Sequence, residues 1–250
     1  MRKYLTPKML IVAVSILITR VSFAQTVAAD SSSQQNAFRN AVTRYNASIG
    51  EESGLYNGPE YYFHDPTVKG NSYFMGTNAF TAGAVYYDGS YYRSVPMIYD
   101  LYNDEIAVLL YNHFTKYTLL KYRVKSFDFL DHHFINIDAD TIDNKAGLKS
   151  GYYDQIYNGK SEVLVKRSKS IQTNGGGTLG ADRYFSPDND YYFRKNHVYY
   201  KISRQRELLS VLQDKKKELQ QYIKANQIKF RSNPEAAMVK IATYYDHLTQ

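Results

Sequence analysis

The chain contains no cysteine and no tryptophan. Without thiols it forms no disulfide, builds no thiolate zinc site, offers no cysteine nucleophile and carries no lipid on an acylated N-terminal cysteine. Lack of indole rings weakens a glycan-stacking platform. Long apolar runs are scarce too: after Ala24 no segment approaches the ~20 apolar residues that a membrane-spanning helix needs. Charge of one sign is also modest. Thirty-one Lys and Arg against 24 Asp and Glu give +7, but Arg2, Lys3, Lys8 and Arg20 precede the first acid, and residues 25–250 carry only +3. That is too little to point to nucleic acid. A composition 44% hydrophobic and 22% charged is that of a globular chain, neither disordered nor collagenous.

The first 24 residues have the layout of a secretory signal. A basic start is followed by an apolar run over residues 9–18, broken only by Ser15. Ser22 and Ala24 then supply small residues at the −3 and −1 positions of a cut before Gln25. The alternative, an uncleaved anchor helix, is disfavoured because the run is short and Arg20 closes it. The sequence thus predicts a signal peptide over residues 1–24 and an exported product from Gln25 onward.

Three further segments differ in pattern. Residues 25–54 read as a polar, serine-rich leader followed by a short amphipathic helix carrying Phe38, Val42 and Tyr45. Over residues 55–202, runs of Tyr, Phe, Val and Ile alternate with polar residues between Gly, Asn and Asp, the signature of antiparallel strands. Tyr56-Asn57-Gly58, Tyr87-Asp88-Gly89 and Tyr157-Asn158-Gly159 suit type I′ turns, whose central residues need positive φ. The last two predict hairpins, 82–87 with 90–95 and 152–157 with 161–166. Asn103-Asp104 and Lys195-Asn196 are further turn candidates. Gly175-Gly176-Gly177 is followed by Pro187 and no helix start, so a loop is expected and not a phosphate cradle.

Residues 203–250 turn helical. Leu208, Leu209 and Leu212 form one apolar cluster, and Leu219, Tyr222 and Ile223 another, with Asp214 as a candidate cap. Ser232-Asn233-Pro234-Glu235 has the layout of a helix start. Charge splits with pattern: net −2 over 25–200 and +5 over 201–250. The expected fold is α+β, an antiparallel β-sheet system (open barrel or sandwich) with C-terminal helices packed on it. A transmembrane barrel is the rival. Against it stand the terminal helices and the charges of Lys121-Tyr122-Arg123 and Lys166-Arg167-Ser168-Lys169, read as lying on both faces of their strands.

Gly83-Ala84-Val85-Tyr86-Tyr87-Asp88-Gly89, Tyr99-Asp100-Leu101, Gly151-Tyr152-Tyr153, Leu164-Val165-Lys166 and Tyr222-Ile223-Lys224 follow Tyr56-Asn57-Gly58 in order. Together they resemble a group of uncharacterised exported proteins common in Bacteroidota. The resemblance spans most of residues 25–250 and rests on turn and strand chemistry. It implies export to a Gram-negative envelope and carries no activity and no catalytic residue.

The densest polar cluster is Asp128, Asp131, His132, His133, Asp138, Asp140 and Asp143. Asp138 and Asp140 share one side of an extended chain and Asp143 joins after a turn, so the three are the candidate metal ligands, of the hard oxygen type that suits Ca²⁺. The spacing is not that of an EF-hand, and a solvated hairpin end is the competing reading. His132 and His133 face opposite sides of a strand and cannot chelate together. Glu51-Glu52 and Asp104-Glu105 are adjacent acid pairs in expected loops. No Gly-x-Ser-x-Gly elbow or His-Glu-x-x-His pattern occurs, and His64, His113, His197 and His247 are scattered.

Tyrosine is the anomaly: 26 residues, with doublets at 61–62, 86–87, 91–92, 152–153, 191–192, 199–200 and 244–245. In a strand each doublet places one ring on each face, one to bury and one for an open face. Cross-strand packing and a binding face compete as explanations. The lysines at 215–217, with Lys224, Lys229 and Arg231, read as a solvated helix face, with anionic lipid as the competing partner.

The sequence-based expectation is an exported protein on the periplasmic or cell-surface side of a Gram-negative envelope. It would be a non-catalytic binding or scaffold module using a tyrosine-rich sheet face, with an envelope protein, peptide or glycan as partner. The alternatives are a hydrolase whose acidic residues converge only in three dimensions and a Ca²⁺-stabilised structural module. No catalytic residue and no cofactor other than Ca²⁺ is assigned.

Overall fold

The computed structural model describes residues 31–49, 54–142, 146–175 and 182–249. The predicted signal segment, Glu51-Glu52, Asp143 and Gly176-Gly177 lie outside them. The chain divides into two compact units, residues 1–41 and 42–250. Helix α1 (Ser31–Ile49) begins inside the stretch read as a leader, because no glycine or proline interrupts residues 31–49. Its Phe38 and Tyr45 are exposed.

Among the described residues, ten strands form one antiparallel sheet: β1 (Thr81–Tyr87), β2 (Ser90–Asp100), β3 (Glu105–Leu109), β4 (Lys116–Thr118), β5 (Val124–Phe129), β6 (His132–Ile137), β7 (Gly151–Asn158), β8 (Glu162–Thr173), β9 (Arg183–Lys195) and β10 (Val198–Lys201). Their order is β10-β9-β8-β7-β6-β5-β1-β2-β3-β4. The chain meanders out from β1 to β4, returns to add β5 to the other edge of β1, and meanders away again. Lys121–Arg123 form a 3-10 turn on that return, so these charges lie in a turn and not on a strand as expected.

The turns show where side-chain chemistry decides local geometry. Asp88 (φ 47) and Gly89 (φ 78) make the expected two-residue turn between β1 and β2. Asp104 (φ 56) lies between β2 and β3, and Asn196 (φ 51) with His197 (φ 65) joins β9 to β10. Residues 157–159 do lie at a hairpin, but the register pairs Asn158 with Glu162 and leaves a three-residue connection, with Gly159 outside the positive-φ region. Glycine is needed there for space: a Cβ would come within 2.4 Å of the Asp246 carboxylate. Tyr56-Asn57-Gly58 makes no hairpin. A Cβ on Gly58 would sit 1.8 Å from the Thr118 carbonyl oxygen, so this glycine lets two backbones touch.

The sheet rolls on itself. Lys166 and Lys169 of β8 reach the end of β2, although four strands separate β8 from β2 in the sheet: Lys166 bonds Asp104 at 2.8 Å and the Lys169 amide donates to the Leu101 carbonyl. Residues 59–73 strap the gap. They pair Glu60 with Tyr117 of β4, Lys69 with Tyr184 of β9 and Tyr73 with Asp100 of β2. The result is an open barrel. Alternation along the strands sends Val85, Tyr87, Met97, Tyr99, Phe127, Phe134 and Tyr152 into one aromatic core. Phe127 and Phe134 stack at 4.6 Å, and Tyr99 meets both edge-on. On the opposite face of β2 and β3, Ile98 and Ala107 are covered by Tyr61 and Tyr73 of the strap.

Helices α2 (Gln205–Val211), α3 (Lys216–Ala225) and α4 (Pro234–Leu248) bury Leu208, Leu212, Leu219, Met238 and Ile241 against Val163 and Phe193. Asn233 caps α4 by accepting the Ala236 N–H, with Pro234 in the first turn. Asp214 is not a cap as expected: its carboxylate accepts from Lys195 at 2.6 Å and from the Tyr245 hydroxyl at 3.0 Å. Asp246 fixes α4 to the β7–β8 turn by accepting the Ser161 N–H and the Tyr157 hydroxyl. No helix among the described residues is long and apolar enough to cross a membrane.

Candidate functional site

The site begins with the turn between β5 and β6. Leu130 (φ 50) and Asp131 (φ 62) join β5 to β6 without glycine or asparagine. This tight reversal makes His132 and His133 the first residues of β6, so their rings leave on opposite faces, as expected. His132 follows Phe134 toward the aromatic core and lies edge-on to Phe74 at 5.0 Å. His133 turns outward.

Each imidazole has a carboxylate on Nδ1. His132 meets Asp154 of β7 at 2.7 Å, and Asp154 is fully buried. Arg167 of β8 binds the same carboxylate oxygen through Nε at 2.8 Å and through Nη2. Register explains the meeting: Asp154 pairs with Val165, and Arg167 stands two residues further along on the same face. Arg167 also grips Glu235 in the first turn of α4, with two bonds of 2.9 Å. Burial pulls the guanidinium pKa down, but Glu235 and Asp154 outweigh it and hold it above its ordinary value. A fork with two carboxylates is the geometry arginine supplies and lysine does not.

On the outer face, His133 Nδ1 lies 2.6 Å from Asp128 of β5, its cross-strand partner. The Tyr91 hydroxyl donates to the other Asp128 oxygen at 3.1 Å. Tyr91, Asp128, Asp131, His132 and His133, together with residues 81–84, line an open groove of about 640 Å³. Gly83 is part of its lining, and a Cβ there would lie 2.6 Å from the Met97 sulfur and 2.7 Å from the Asp128 carbonyl oxygen.

Other charged groups are structural in placement. Asp104 accepts from Lys166 (2.8 Å), Lys121 (3.1 Å) and the Tyr99 hydroxyl (2.7 Å). Burial alone would raise its pKa, but Lys166 and then Lys121 bring it below the ordinary value. Lys166 shares that one carboxylate with Lys121, and its own burial dominates, so its pKa falls. Fully buried Asp100 takes His64 Nε2 at 2.5 Å, the Tyr61 hydroxyl and the Tyr102 N–H. Glu162 holds Arg194 and Tyr199, whose phenol burial and this carboxylate push up to about 12.

Of the three expected metal ligands, two lie within the described residues. Asp138 caps the 3-10 turn Ala139–Thr141, accepting the Asp140 N–H at 3.2 Å and the Ser150 hydroxyl at 3.3 Å. Asp140 is exposed, and Asp143 lies outside the described residues. No group of three or more His, Asp or Glu converges as a metal site among the described residues. Of the tyrosine doublets, 86–87, 91–92, 152–153, 191–192 and 199–200 lie on strands and 61–62 lie in the strap, with varied burial. Tyr61, Tyr87, Tyr92 and Tyr192 are buried while Tyr62 is exposed and Tyr86 and Tyr91 half-buried; Tyr152 and Tyr153 are both buried, one in each core. Tyr244-Tyr245 belongs to α4.

Sequence reasoning passed over Asp154, Arg167 and Glu235. One signal was present: an acid inside the apolar run Gly151-Tyr152-Tyr153-Asp154, where an unpartnered carboxylate would be costly. Comparison of the chain with models of known families, with curated proteins and with solved structures returned no match.

Proposed function

We propose that this is an exported cell-envelope binding module whose ligand, a peptide, glycan or segment of another envelope protein, lies in the groove between the start of β1 and the β5–β6 turn. The observation that supports this reading most is the hydrogen-bonded chain Tyr91–Asp128–His133 on the groove wall, backed by the buried His132–Asp154–Arg167–Glu235 network. The network makes one edge of the groove rigid, and the outer chain offers an amphipathic ring and an imidazole to a polar ligand. Export before Gln25 and residence in a Gram-negative envelope belong to the same proposal, on the signal-like segment and the Bacteroidota resemblance.

A second reading is favoured by one feature. A buried carboxylate on Nδ1 of a histidine that lines a groove is the arrangement of a general base, and His132–Asp154 has it. Water activation by His132 would make the chain a hydrolase. The two readings separate in one experiment: histidine ring signals of the chain from Gln25 are followed by NMR while soluble peptidoglycan fragments and extended peptides are titrated in. Saturable shifts at His133 with no turnover support binding. Turnover that disappears in His132→Gln supports hydrolysis.

A further inference from the structure

The helical segment segregates its charges. Residues 201–250 carry ten basic and five acidic groups, and four of those acids are occupied inside the protein. Glu207 accepts the Ser203 and Arg204 N–H groups at the start of α2, and Asp214 holds Lys195 and Tyr245. Glu235 is gripped by Arg167, and Asp246 receives Ser161 and Tyr157. Only Glu218 has no such partner among the described residues. The bases go the other way: Arg206, Lys216, Lys217, Lys224, Lys229 and Arg231 are exposed, and none forms an ion pair among the described residues.

Their arrangement adds to the excess. At ~100° per residue, Lys216, Lys217 and Lys224 fall within about 100° of one another around α3. Lys229 and Arg231 follow in the α3–α4 connection, where with Gln205, Ser232, half-buried Ile228 and buried Phe230 they line an open groove of about 600 Å³. Cationic heads around a groove with an apolar floor match the chemistry of a phospholipid interface, where lysines meet headgroup phosphates and apolar atoms meet the acyl boundary.

We propose that α3 and the α3–α4 connection form a docking face for an anionic phospholipid surface, holding this face of the protein at a membrane. The groove at β1 and the β5–β6 turn plays no part in it, so this proposal stands or falls separately from the ligand-binding one.

The test is sedimentation of the chain from Gln25 with vesicles of phosphatidylcholine alone and of phosphatidylcholine mixed with phosphatidylglycerol. Removing residues 1–24 prevents that basic, apolar segment from binding lipid itself, and residues 42–250 are one compact unit. Two charge-matched variants are compared: Lys216→Glu, Lys217→Glu, Lys224→Glu on the helix, and Lys69→Glu, Arg93→Glu, Lys125→Glu elsewhere. Far-ultraviolet circular dichroism checks that both fold, and a Lys→Gln triple replaces the helix variant if it does not. The expected result is binding to the anionic vesicles only, weakened by salt, and lost roughly a hundredfold in the helix variant but not in the control. No binding to anionic vesicles, equal loss in both variants, or displacement by inorganic phosphate or DNA at equal charge would overturn the membrane reading.

Discussion

Arg167→Met tests the buried network most sharply. The side chain of Arg167 is 11% exposed, that of Asp154 1% and that of Glu235 30%. Removing the guanidinium strands Asp154 in the interior with only His132 beside it, whereas Glu235 can turn to water. Breaking a buried pair from one side costs about 3–5 kcal/mol, and the half-exposed Glu235 adds at most about 1 kcal/mol. For a unit of this size the loss of the buried pair alone is a fall of roughly 6–20 °C in melting temperature. Urea unfolding followed by far-ultraviolet circular dichroism suits a chain without tryptophan. The companion variant is Arg167→Met with Asp154→Leu. Replacing the pair by apolar groups removes the stranded charge, so most of the loss should be recovered. A single variant within about 1 kcal/mol of the parent would refute the reasoning. A double variant that is worse than the single one would refute it too.

Three further outcomes are expected. Gly159→Ala should lower stability by about 1–3 kcal/mol in urea, because the added methyl meets the Asp246 carboxylate that fastens α4; an unchanged midpoint would mean that the turn gives way without cost. Asp104 has a depressed folded pKa, so its contribution is complete above the unfolded value near 3.9 and is lost as pH falls through the lower folded value; Asp104→Asn should flatten the acid limb of the stability curve below about pH 4, and an unaltered limb would contradict the ion cluster. Chelator should leave the melting temperature unchanged, since Asp138 is committed to its local cap; a drop of several degrees that vanishes in Asp140→Asn would favour the Ca²⁺ reading instead.

Much of the fold was legible because its causes are local. Alternation marked the strands, Asp88-Gly89 gave its hairpin through positive φ, and Asn233-Pro234 started α4. The failures share a cause in tertiary contact. Gly159 looked like a turn glycine but is dictated by Asp246, 87 positions later. Asp214 looked like a cap until Lys195 and Tyr245 were brought to it. The site was half visible. His132, His133, Asp128 and Asp131 stand together in sequence, yet Arg167 and Glu235 are separated by 68 positions, and only the packing of α4 against β8 unites them. Strand alternation announced that the two histidines face opposite ways, but the carboxylate each one meets, Asp154 of β7 for His132 and Asp128 of β5 for His133, depends on sheet register and is not local.

The groove itself is tested most directly by titrating the chain from Gln25 with peptidoglycan fragments and with extended peptides while His132 and His133 are observed by NMR, in parallel with His133→Ala and Tyr91→Phe. The proposed binding role predicts a saturable shift of the His133 ring with one of these probes. It predicts that each substitution weakens that binding by about tenfold or more, as loss of a hydrogen bond to a charged group should. Binding that leaves both histidine signals unmoved, or survives both substitutions at full strength, would contradict it.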